Sequence, residues 1–214
     1  ADGDARGGAE QRSLKHLLVQ CYVKLGDWQL LLHEDSTSLN DGAIAAVQAA
    51  YRWATELDPL SYKAWHAWAL TNFRAVEHFQ REDSAERSAP LPRQLCKEAE
   101  RHLVPAVHGF FRSIALGQHV RANVLQDILR LLTLWFAHGT RTDVQEALTK
   151  GFDSVSTDTW LDVTPQLIAR INKPHDLISH VLLRVGTKHP QVLIYPLTVA
   201  SNSSSAQRRE AAEH

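Results

Sequence analysis

Methionine is absent from the 214 residues, and cysteine occurs only twice, as Cys21 and Cys96. A chain without an initiator methionine cannot be an unprocessed translation product, so we expect it to be a piece of a longer protein. Two cysteines on expected helices favour a reducing compartment over a disulfide framework. Long apolar runs are also lacking, since the stretch from Ile128 to Phe136 is far shorter than the roughly 20 residues of a membrane-spanning helix. We therefore expect a soluble chain without a transmembrane segment.

An excess of charge of one sign is lacking as well. The chain has 23 Lys and Arg residues against 24 Asp and Glu residues, a formal net charge of -1. This balance gives no bulk electrostatic attraction to nucleic acid or to an anionic membrane. We expect no nucleic-acid partner, and net charge does not exclude a local basic patch.

The motifs of the common enzyme classes are missing too. The sequence has no G-x-S-x-G, G-x-x-x-x-G-K-[ST], H-R-D or D-F-G, so we expect no catalytic residue in this chain. Twelve histidines invite a metal hypothesis, but neither H-E-x-x-H nor a Cys/His quartet with zinc-ligand spacing occurs. We expect no metal site, and interpret His66, His78, His108 and His138 as solvated or singly hydrogen-bonded helix residues.

The most informative feature that is present is a pair of helix patterns from Ala43 to Leu70, joined at Asp58 and Pro59. Proline lacks an N–H and clashes one turn back, so the first helix must end there and the chain must turn. Apolar or small residues recur at helical spacing on both sides of the turn, at Ile44, Val47, Ala50, Ala54, Leu57, Tyr62, Trp65, Ala69, Phe73 and Val76. Two amphipathic helices with a short link are the unit that helical-repeat proteins stack.

The same periodicity over the rest of the chain predicts an all-α fold with roughly ten helices. We expect an α-α superhelix, or solenoid, of antiparallel helix pairs that are TPR-like at first and HEAT-like later. The expected organisation is a flexible N-terminal segment over 1–13, TPR-like repeats over 14–81, a loop or linker over 82–94, and HEAT/TPR-like repeats over 95–214. Neither end has an evident polar cap, so we expect neighbouring helices to cover the end faces.

Several residues are predicted to start, end or bend helices. An apolar stripe at Leu14, Leu17, Leu18, Cys21, Tyr22 and Leu25 is expected to form a helix face. Gly26 suits the left-handed turn after that helix, and Asp27 could cap the next one. Pro105 predicts a kink or a restart. Further expected features are a helix buried on nearly every side from Val124 to Phe136, a Thr142–Gln145 capping box, a cap at Ser156 or Thr157, a bend or restart at Pro165 and a proline-started helix at Pro190.

Two residue types have both a structural and a functional interpretation. Trp65 and Trp68 could form a stacking cage for a ligand, but their spacing favours packing in a seam between helices. Lys24 and Lys63 lie within apolar helix faces, where a long cation must extend to solvent, find a carboxylate, or line an anion pocket. For the lysines these alternatives stay open.

Six blocks of the chain, in order, resemble the FAT region of TOR, the target-of-rapamycin family of protein kinases. They are CYVKLGDWQ (Cys21 to Gln29), YKAWHAWALTNFRAV (Tyr62 to Val76), VPAVHGFFRSIAL (Val104 to Leu116), LQDILRLLTLWF (Leu125 to Phe136), DTWLDVTPQLIARI (Asp158 to Ile171) and HPQVLIYPLTVAS (His189 to Ser201). Together the matches extend over about 14–205.

The resemblance implies the carboxy-terminal part of a FAT helical solenoid, ahead of the rapamycin-binding bundle and the kinase domain. It implies a segment that clasps and restrains the kinase domain and helps assemble complexes with Raptor-type or Rictor-type subunits and the small propeller LST8. ATP and Mg²⁺ would then belong only to the parent serine/threonine kinase domain. The implied location is cytoplasmic, or peripheral on a lysosomal or vacuolar membrane as part of a complex.

The resemblance also implies an inositol hexakisphosphate pocket. Lys24 and Lys63 match two of its cationic positions, whereas a third, one turn before Lys24, is Gln20 here. An amide cannot replace a guanidinium fork, so an isolated chain is expected to bind weakly. The resulting hypothesis is a non-catalytic scaffold of a TOR-type kinase, with two alternatives: a free-standing TPR-type peptide-binding adaptor, or an inositol-phosphate binding module.

Overall fold

The computed structural model describes residues 2–34, 41–86, 97–171 and 176–213, and all regular structure within these ranges is helical. The helices are α1 Asp2–Glu34, α2 Asp41–Leu57, α3 Tyr62–Glu86, α4 Lys97–Leu116, α5 Arg121–His138, α6 Thr142–Ser154, a 3-10 helix Thr157–Val163, α7 Thr164–Ile168, α8 Asp176–Lys188, α9 Pro190–Ser201 and α10 Ala206–Glu213. The all-α fold class predicted from the sequence is confirmed. Two compact units divide the chain, Ala1–Val120 and Arg121–His214.

In the first unit, each helix packs on the next one in the chain, and α3 and α4 share the largest interface. The turn between α2 and α3 follows the prediction made from Pro59. The Ser61 N–H donates to the Asp58 carbonyl at 3.1 Å, and the Leu60 N–H donates to Asp58 Oδ1 at 3.0 Å. Asp58 therefore accepts both of the hydrogen bonds that close the turn, and α3 begins directly after Ser61.

The core of the first unit lies where α3 crosses α4. Phe110 is fully buried, and its ring meets that of Phe73 edge to face with 5.9 Å between centroids. A Cβ on the neighbouring Gly109 would lie 2.9 Å from Ala69 Cβ and 3.1 Å from Ala69 Cα. The two helices therefore approach closely at a pair of small residues, beside a large aromatic contact.

Helix α1 differs from the sequence-based expectations at two places. Helical backbone begins at Asp2, where a flexible segment over 1–13 was expected, and it passes through Gly26 without a break. The predicted helix end at Gly26 is wrong because the glycine serves a packing contact. A Cβ at this position would lie 2.5 Å from Cε1 of Tyr51, whose ring therefore needs the bare backbone of α1.

The expected linker and the expected proline break also turn out differently. Helix α3 continues to Glu86, so residues 82–86 of the expected loop 82–94 are helical, and residues 87–94 lie outside the described part of the chain. Helix α4 contains Pro105 without interruption. The lost backbone hydrogen bond is outweighed by burial of the flanking residues, including Leu103 and Val107, against α3.

The second unit is organised around a row of buried aromatic rings. Trp135 of α5 meets Phe152 of α6 at 4.9 Å between centroids, and Phe152 meets Trp160 of the 3-10 helix at 4.8 Å. These three residues join three consecutive elements in one core. The prediction that α5 is buried on nearly every side is only partly right, because Leu125 and Leu129 are exposed.

Most of the predicted helix starts in the second unit are confirmed. Ser156 caps the 3-10 helix by accepting from the Asp158 N–H, and prolines occupy the first turns of α7 and α9. The Thr142–Gln145 capping box is wrong. Arg141 is the residue that precedes α6, it gives no side-chain cap, and Asp143 Oδ1 accepts from the Val144 N–H instead.

A three-residue ionic contact fastens the α8–α9 junction to the 3-10 helix. Asp158 Oδ1 accepts from Lys188 Nζ at 2.8 Å and from His189 Nε2 at 2.6 Å. The hydrogen bond from Lys188, followed by that from His189, lowers the pKa of Asp158 below its usual value. Stability from this contact is therefore present above the unfolded-state pKa of about 3.9 and is lost as pH falls through the lower folded-state value.

We predict that Asp158→Asn lowers the melting temperature at pH 5–6 and that the difference shrinks as pH falls below about 3.9 and through the lowered folded-state pKa of Asp158, where the wild-type carboxyl also becomes protonated. Thermal melts of both proteins across this pH range measure the difference. Asp162→Asn, an exposed position on the same 3-10 helix, is the matched control and should change little at any pH. A difference between wild type and Asp158→Asn that does not shrink at all as the pH is lowered would contradict the ionic origin.

Candidate functional site

Lys24 and Lys63 lie on two helices of the first unit that share a small apolar cluster. Val19 of α1, Ala54 of α2 and Ala64 of α3 are buried together, with Val23 packed against them. Lys24 follows Val23 and Lys63 precedes Ala64, so each lysine is next in sequence to a residue of this cluster. Both lysine side chains are nevertheless exposed to solvent, rather than enclosed in the apolar faces that the sequence suggested.

The surroundings of the two lysines differ. Lys24 Nζ lies 3.6 Å from Asp27 Oδ2, whereas Lys63 has no carboxylate within ion-pair distance in the part of the chain that the structure describes. Gln20, one turn before Lys24, is hydrogen-bonded to His16 Nε2 at 2.8 Å. The described geometry therefore presents two exposed cations, one of which is already paired.

A tyrosine from α2 completes the surroundings of Lys24. The Tyr51 hydroxyl donates to Asp27 Oδ1 at 2.9 Å, while its ring covers Gly26. Burial, and then the hydrogen bond to Asp27, raise the pKa of Tyr51 above its usual value, and nearby Arg74 opposes the shift. The phenol therefore stays protonated and acts as a donor at physiological pH. Sequence patterns did not reveal this contact, because the partners are 24 residues apart.

A second cluster surrounds the carbonyl of Pro59. Arg112 Nη2 donates to this oxygen at 2.8 Å and Trp65 Nε1 donates at 2.9 Å, with the guanidinium 5.5 Å from the indole centroid. His108 lies edge-on to Trp65, and burial there, with Arg112 beside it, lowers the pKa of His108. Sequence patterns did not identify Arg112 as part of this cluster. The two hydrogen bonds to the Pro59 carbonyl fix the α2–α3 turn on α4.

The prediction that Trp65 and Trp68 pack between helices is confirmed only in part. Trp65 and Trp68 are half-buried between helices rather than fully enclosed. Trp68 forms one wall of an open groove of about 340 Å³, whose other lining residues are Ala45, Gln48, Ala49, Arg52 and Trp53. Such a groove has room for an apolar side chain of a partner.

The inner end of this groove is a polar network that joins α2, α3 and α4. Asn72 Nδ2 donates to the Trp68 carbonyl at 2.9 Å, which leaves Asn72 Oδ1 as an acceptor. Gln48 Nε2 donates to that oxygen at 3.1 Å and approaches His102 Nδ1 at 2.8 Å. His102 Nδ1 also lies 3.2 Å from Asn72 Oδ1, so the three side chains form one connected network. The network holds the floor of the groove in one arrangement.

The outer side of α1 carries an apolar stripe of exposed side chains. Its residues are Leu14, Leu17, Leu18, Cys21, Leu25, Trp28, Leu31 and Leu32. All are exposed, Leu32 to 76%, whereas the opposite side of α1 packs through Val19. We call these eight residues the outer stripe. A contiguous apolar surface of this kind marks a site of protein–protein contact.

Metal and histidine chemistry finds little support in the described residues. Within them, no group of three His, Cys, Asp or Glu side chains is placed to hold a metal ion. His66 stacks on Tyr62 and His78 lies edge-on to Phe79. His138 is buried, so the solvated one of the two expected states does not apply to it. None of the described helices is long and apolar enough to cross a lipid bilayer.

Comparison with known protein families gives two matches along the chain. Residues 7–133 match the FAT domain family, and residues 143–214 match the family described as serine/threonine-protein kinase ATR-like, HEAT repeats. The second match agrees with the HEAT-like helix pairs predicted for the later part of the chain and with an α-solenoid fold class.

Several curated relatives are TOR kinases. The chain is 41% identical over 211 residues to serine/threonine-protein kinase mTor of Drosophila melanogaster, covering 92% of this chain and 8% of the relative. It is 43% identical over 203 residues to serine/threonine-protein kinase TOR of Arabidopsis thaliana, with the same coverage of 92% and 8%. For serine/threonine-protein kinase tor1 of Schizosaccharomyces pombe the identity is 40% over 209 residues, covering 96% and 8%.

The chain thus spans less than a tenth of the length of these relatives. The FAT match covers more than half of the chain, and it includes most of α1 with the whole outer stripe, both lysines and the groove. The chain belongs to the FAT-domain family, as a FAT segment of the TOR type of serine/threonine kinase.

Proposed function

We propose that the chain is a non-catalytic scaffold segment of a TOR-type serine/threonine protein kinase. In this proposal it clasps the kinase domain, restrains its activity and supports assembly of the TOR complex in growth and nutrient signalling. The observation that carries the proposal is the outer stripe of α1, which occurs in a helix array of the FAT family. Such a surface serves protein contact rather than chemistry.

The physical argument rests on the two faces of α1. The inner face is fixed by packing against α2 and α3, so the outer stripe cannot turn inward without breaking that contact. Covering one leucine or tryptophan of the stripe stabilises a contact by about 1.5–3 kcal/mol, before the cost of association. Because packed helices transmit displacements to their neighbours, a partner on this stripe is coupled to α2 and α3.

The partners follow from the proposed role. They are the rest of the TOR-type chain, namely its kinase domain and rapamycin-binding bundle, together with Raptor-type or Rictor-type subunits and LST8. ATP and Mg²⁺ act in the parent kinase domain. The proposed location is the cytoplasm, or the lysosomal or vacuolar surface as part of a complex.

Phosphotransfer tests the non-catalytic part of the proposal. The purified chain, incubated with ATP, Mg²⁺ and a general protein substrate, should transfer no more phosphate than a mock preparation. Transfer above the mock level that co-purifies with the chain through two orthogonal columns would refute it.

We further propose that Lys24 and Lys63 contribute to an inositol hexakisphosphate site. Both ammonium groups are exposed, and they lie on helices that pack against each other. Lysines bind phosphate as point charges, and Gln20 supplies no positive charge, so the affinity of this chain should be modest.

Titration calorimetry with inositol hexakisphosphate tests this site. Lys24→Ala and Lys63→Ala should each weaken binding about fivefold or more at 0.15 M salt, because each removes one charge near a highly charged anion. Lys150→Ala is the control, since Lys150 is an exposed lysine on α6. If both lysine variants bind as wild type does, neither residue belongs to the site.

The groove between α2 and α3 favours a second function, that of a TPR-type adaptor that binds a peptide. Trp53 is exposed on its wall, so a captured apolar side chain would pack against this ring. Capture of a single peptide from a random library, abolished by Trp53→Ala but not by Leu60→Ala, would support the adaptor. A library without an enriched peptide would remove this alternative.

A further inference from the structure

A carboxylate lies beside one of the two lysines assigned to phosphate binding. Asp27 Oδ2 is 3.6 Å from Lys24 Nζ, with 41% and 66% of the two side chains exposed. An exposed pair one helical turn apart contributes little to stability, since water competes for both charges. The carboxylate does, however, place a negative charge beside the ammonium group that an incoming anion needs.

Tyr51 holds this carboxylate in place. Its hydroxyl donates to Asp27 Oδ1 at 2.9 Å, and the tyrosine is almost completely buried. Burial and the hydrogen bond keep the pKa of Tyr51 above its usual value, so the donor is present at any physiological pH. With one oxygen bound to the phenol, the other oxygen faces Lys24.

Gly26 makes the arrangement possible. The Tyr51 ring lies so close to the α1 backbone that a Cβ at residue 26 would be 2.5 Å from Cε1 and 2.6 Å from Cζ. Because the ring lies against Gly26, the hydroxyl is within hydrogen-bond distance of the next residue, Asp27. A buried tyrosine, a bare backbone position and a paired carboxylate therefore form one unit beside Lys24.

We propose that Asp27, held by Tyr51, is an internal competitor for Lys24 that restricts the site to ligands with several phosphate groups. This inference rests on the proposed inositol-phosphate site. The negative charge fixed beside Lys24 offsets much of the attraction that this one ammonium group exerts on a single phosphate ion, so inorganic phosphate should bind poorly. A polyphosphate that contacts Lys63 as well gains enough attraction to displace Asp27 from Lys24.

Calorimetry on the whole 214-residue chain at 0.15 M salt tests the inference, with inositol hexakisphosphate and inorganic phosphate as separate probes. Asp27→Asn should bind inositol hexakisphosphate about tenfold more tightly, because it removes a negative charge next to a polyanion. The same variant should gain measurable binding of inorganic phosphate. Asp162→Asn makes the same charge change in the other unit and should leave both affinities unchanged.

Tyr51→Phe tests the part played by the hydroxyl. The ring still covers Gly26, but Asp27 loses the donor that holds it beside Lys24, so it competes less and inositol hexakisphosphate should bind about twofold or more tightly. In the Asp27→Asn background the tyrosine change should have no effect on affinity. A purely structural role of Tyr51 would weaken binding equally in both backgrounds, and that result would overturn the inference.

The remaining outcomes separate the inference from the site on which it rests. Binding that is weakened by Lys24→Ala but unchanged by Asp27→Asn would overturn the competitor role and leave the site intact. Binding insensitive to Lys24→Ala and Lys63→Ala in every background, or absent from all variants including Asp27→Asn, would refute the site and the inference with it.

Discussion

Phe110→Ala should lower the free energy of unfolding of the chain by about 3–5 kcal/mol, the largest single effect that we expect. The phenyl ring is fully buried and meets Phe73 at 5.9 Å. Its removal leaves a cavity that the surroundings cannot fill, because the close approach at Gly109 and Ala69 already limits how far α3 and α4 can move together.

Urea unfolding followed by circular dichroism measures this loss. Leu60→Ala, at an exposed leucine in the α2–α3 turn, is the control and should change stability by less than about 0.5 kcal/mol. A loss below about 1 kcal/mol for Phe110→Ala, with an unchanged slope, would show that α3 and α4 do not pack as described.

Gly26→Ala should destabilise the chain by about 2–3 kcal/mol, although alanine is the better helix former. The new methyl group would lie 2.5 Å from the buried Tyr51 ring, which must shift and give up its hydrogen bond to Asp27. Gly42→Ala, at an exposed glycine of α2, should be neutral or slightly stabilising.

A double-mutant cycle with Tyr51→Leu identifies the cause of this loss. Once the ring is gone, Gly26→Ala should cost little, so the two changes should couple by about 1–3 kcal/mol. Additive losses would mean that Gly26 is required for a reason other than the contact with Tyr51.

The sequence predicted the α2–α3 pair well because its signals are local. Pro59 ends one helix because its ring leaves no backbone N–H, and the apolar residues on either side recur with the helical period. Val47, Ala54, Ala69 and Val76 are buried as that period requires. Residues 82–86 were mistaken for a loop because helix α3 continues into a polar stretch without an apolar face.

The residues that the sequence could not place are those whose roles depend on distant partners. Gly26 has the local signature of a helix end, and only Tyr51 explains why it lies inside one. Arg112 meets the Pro59 carbonyl across 53 residues. Periodicity likewise located the apolar side of α1, but it says nothing of what covers that side, and the structure exposes Leu14 and Leu18 there.

Lys24 shows the same limit at the candidate site. Sequence spacing could pick out a cation within an apolar pattern, but it could not distinguish a salt bridge from an anion pocket. The structure adds the partner, Asp27, and the residue that holds it, Tyr51. The expected helix end at Gly26 put Asp27 on the next helix, so the pair was not predicted, and the tyrosine contact requires the packing of α2 on α1.

The central claim, restraint of a kinase domain through the FAT segment, is tested most directly in a TOR-type kinase that carries this chain. Serine would replace Leu14, Leu18 and Leu25 of the outer stripe, and a control would carry Gln11→Ser, Lys15→Ser and Gln20→Ser on the same helix. All six side chains are exposed, so neither set should disturb the internal packing of the first unit. Our account predicts that unstimulated phosphate transfer to a peptide substrate rises several-fold in the stripe variant and not in the control. Unchanged or reduced transfer by a stripe variant that assembles normally would contradict the account.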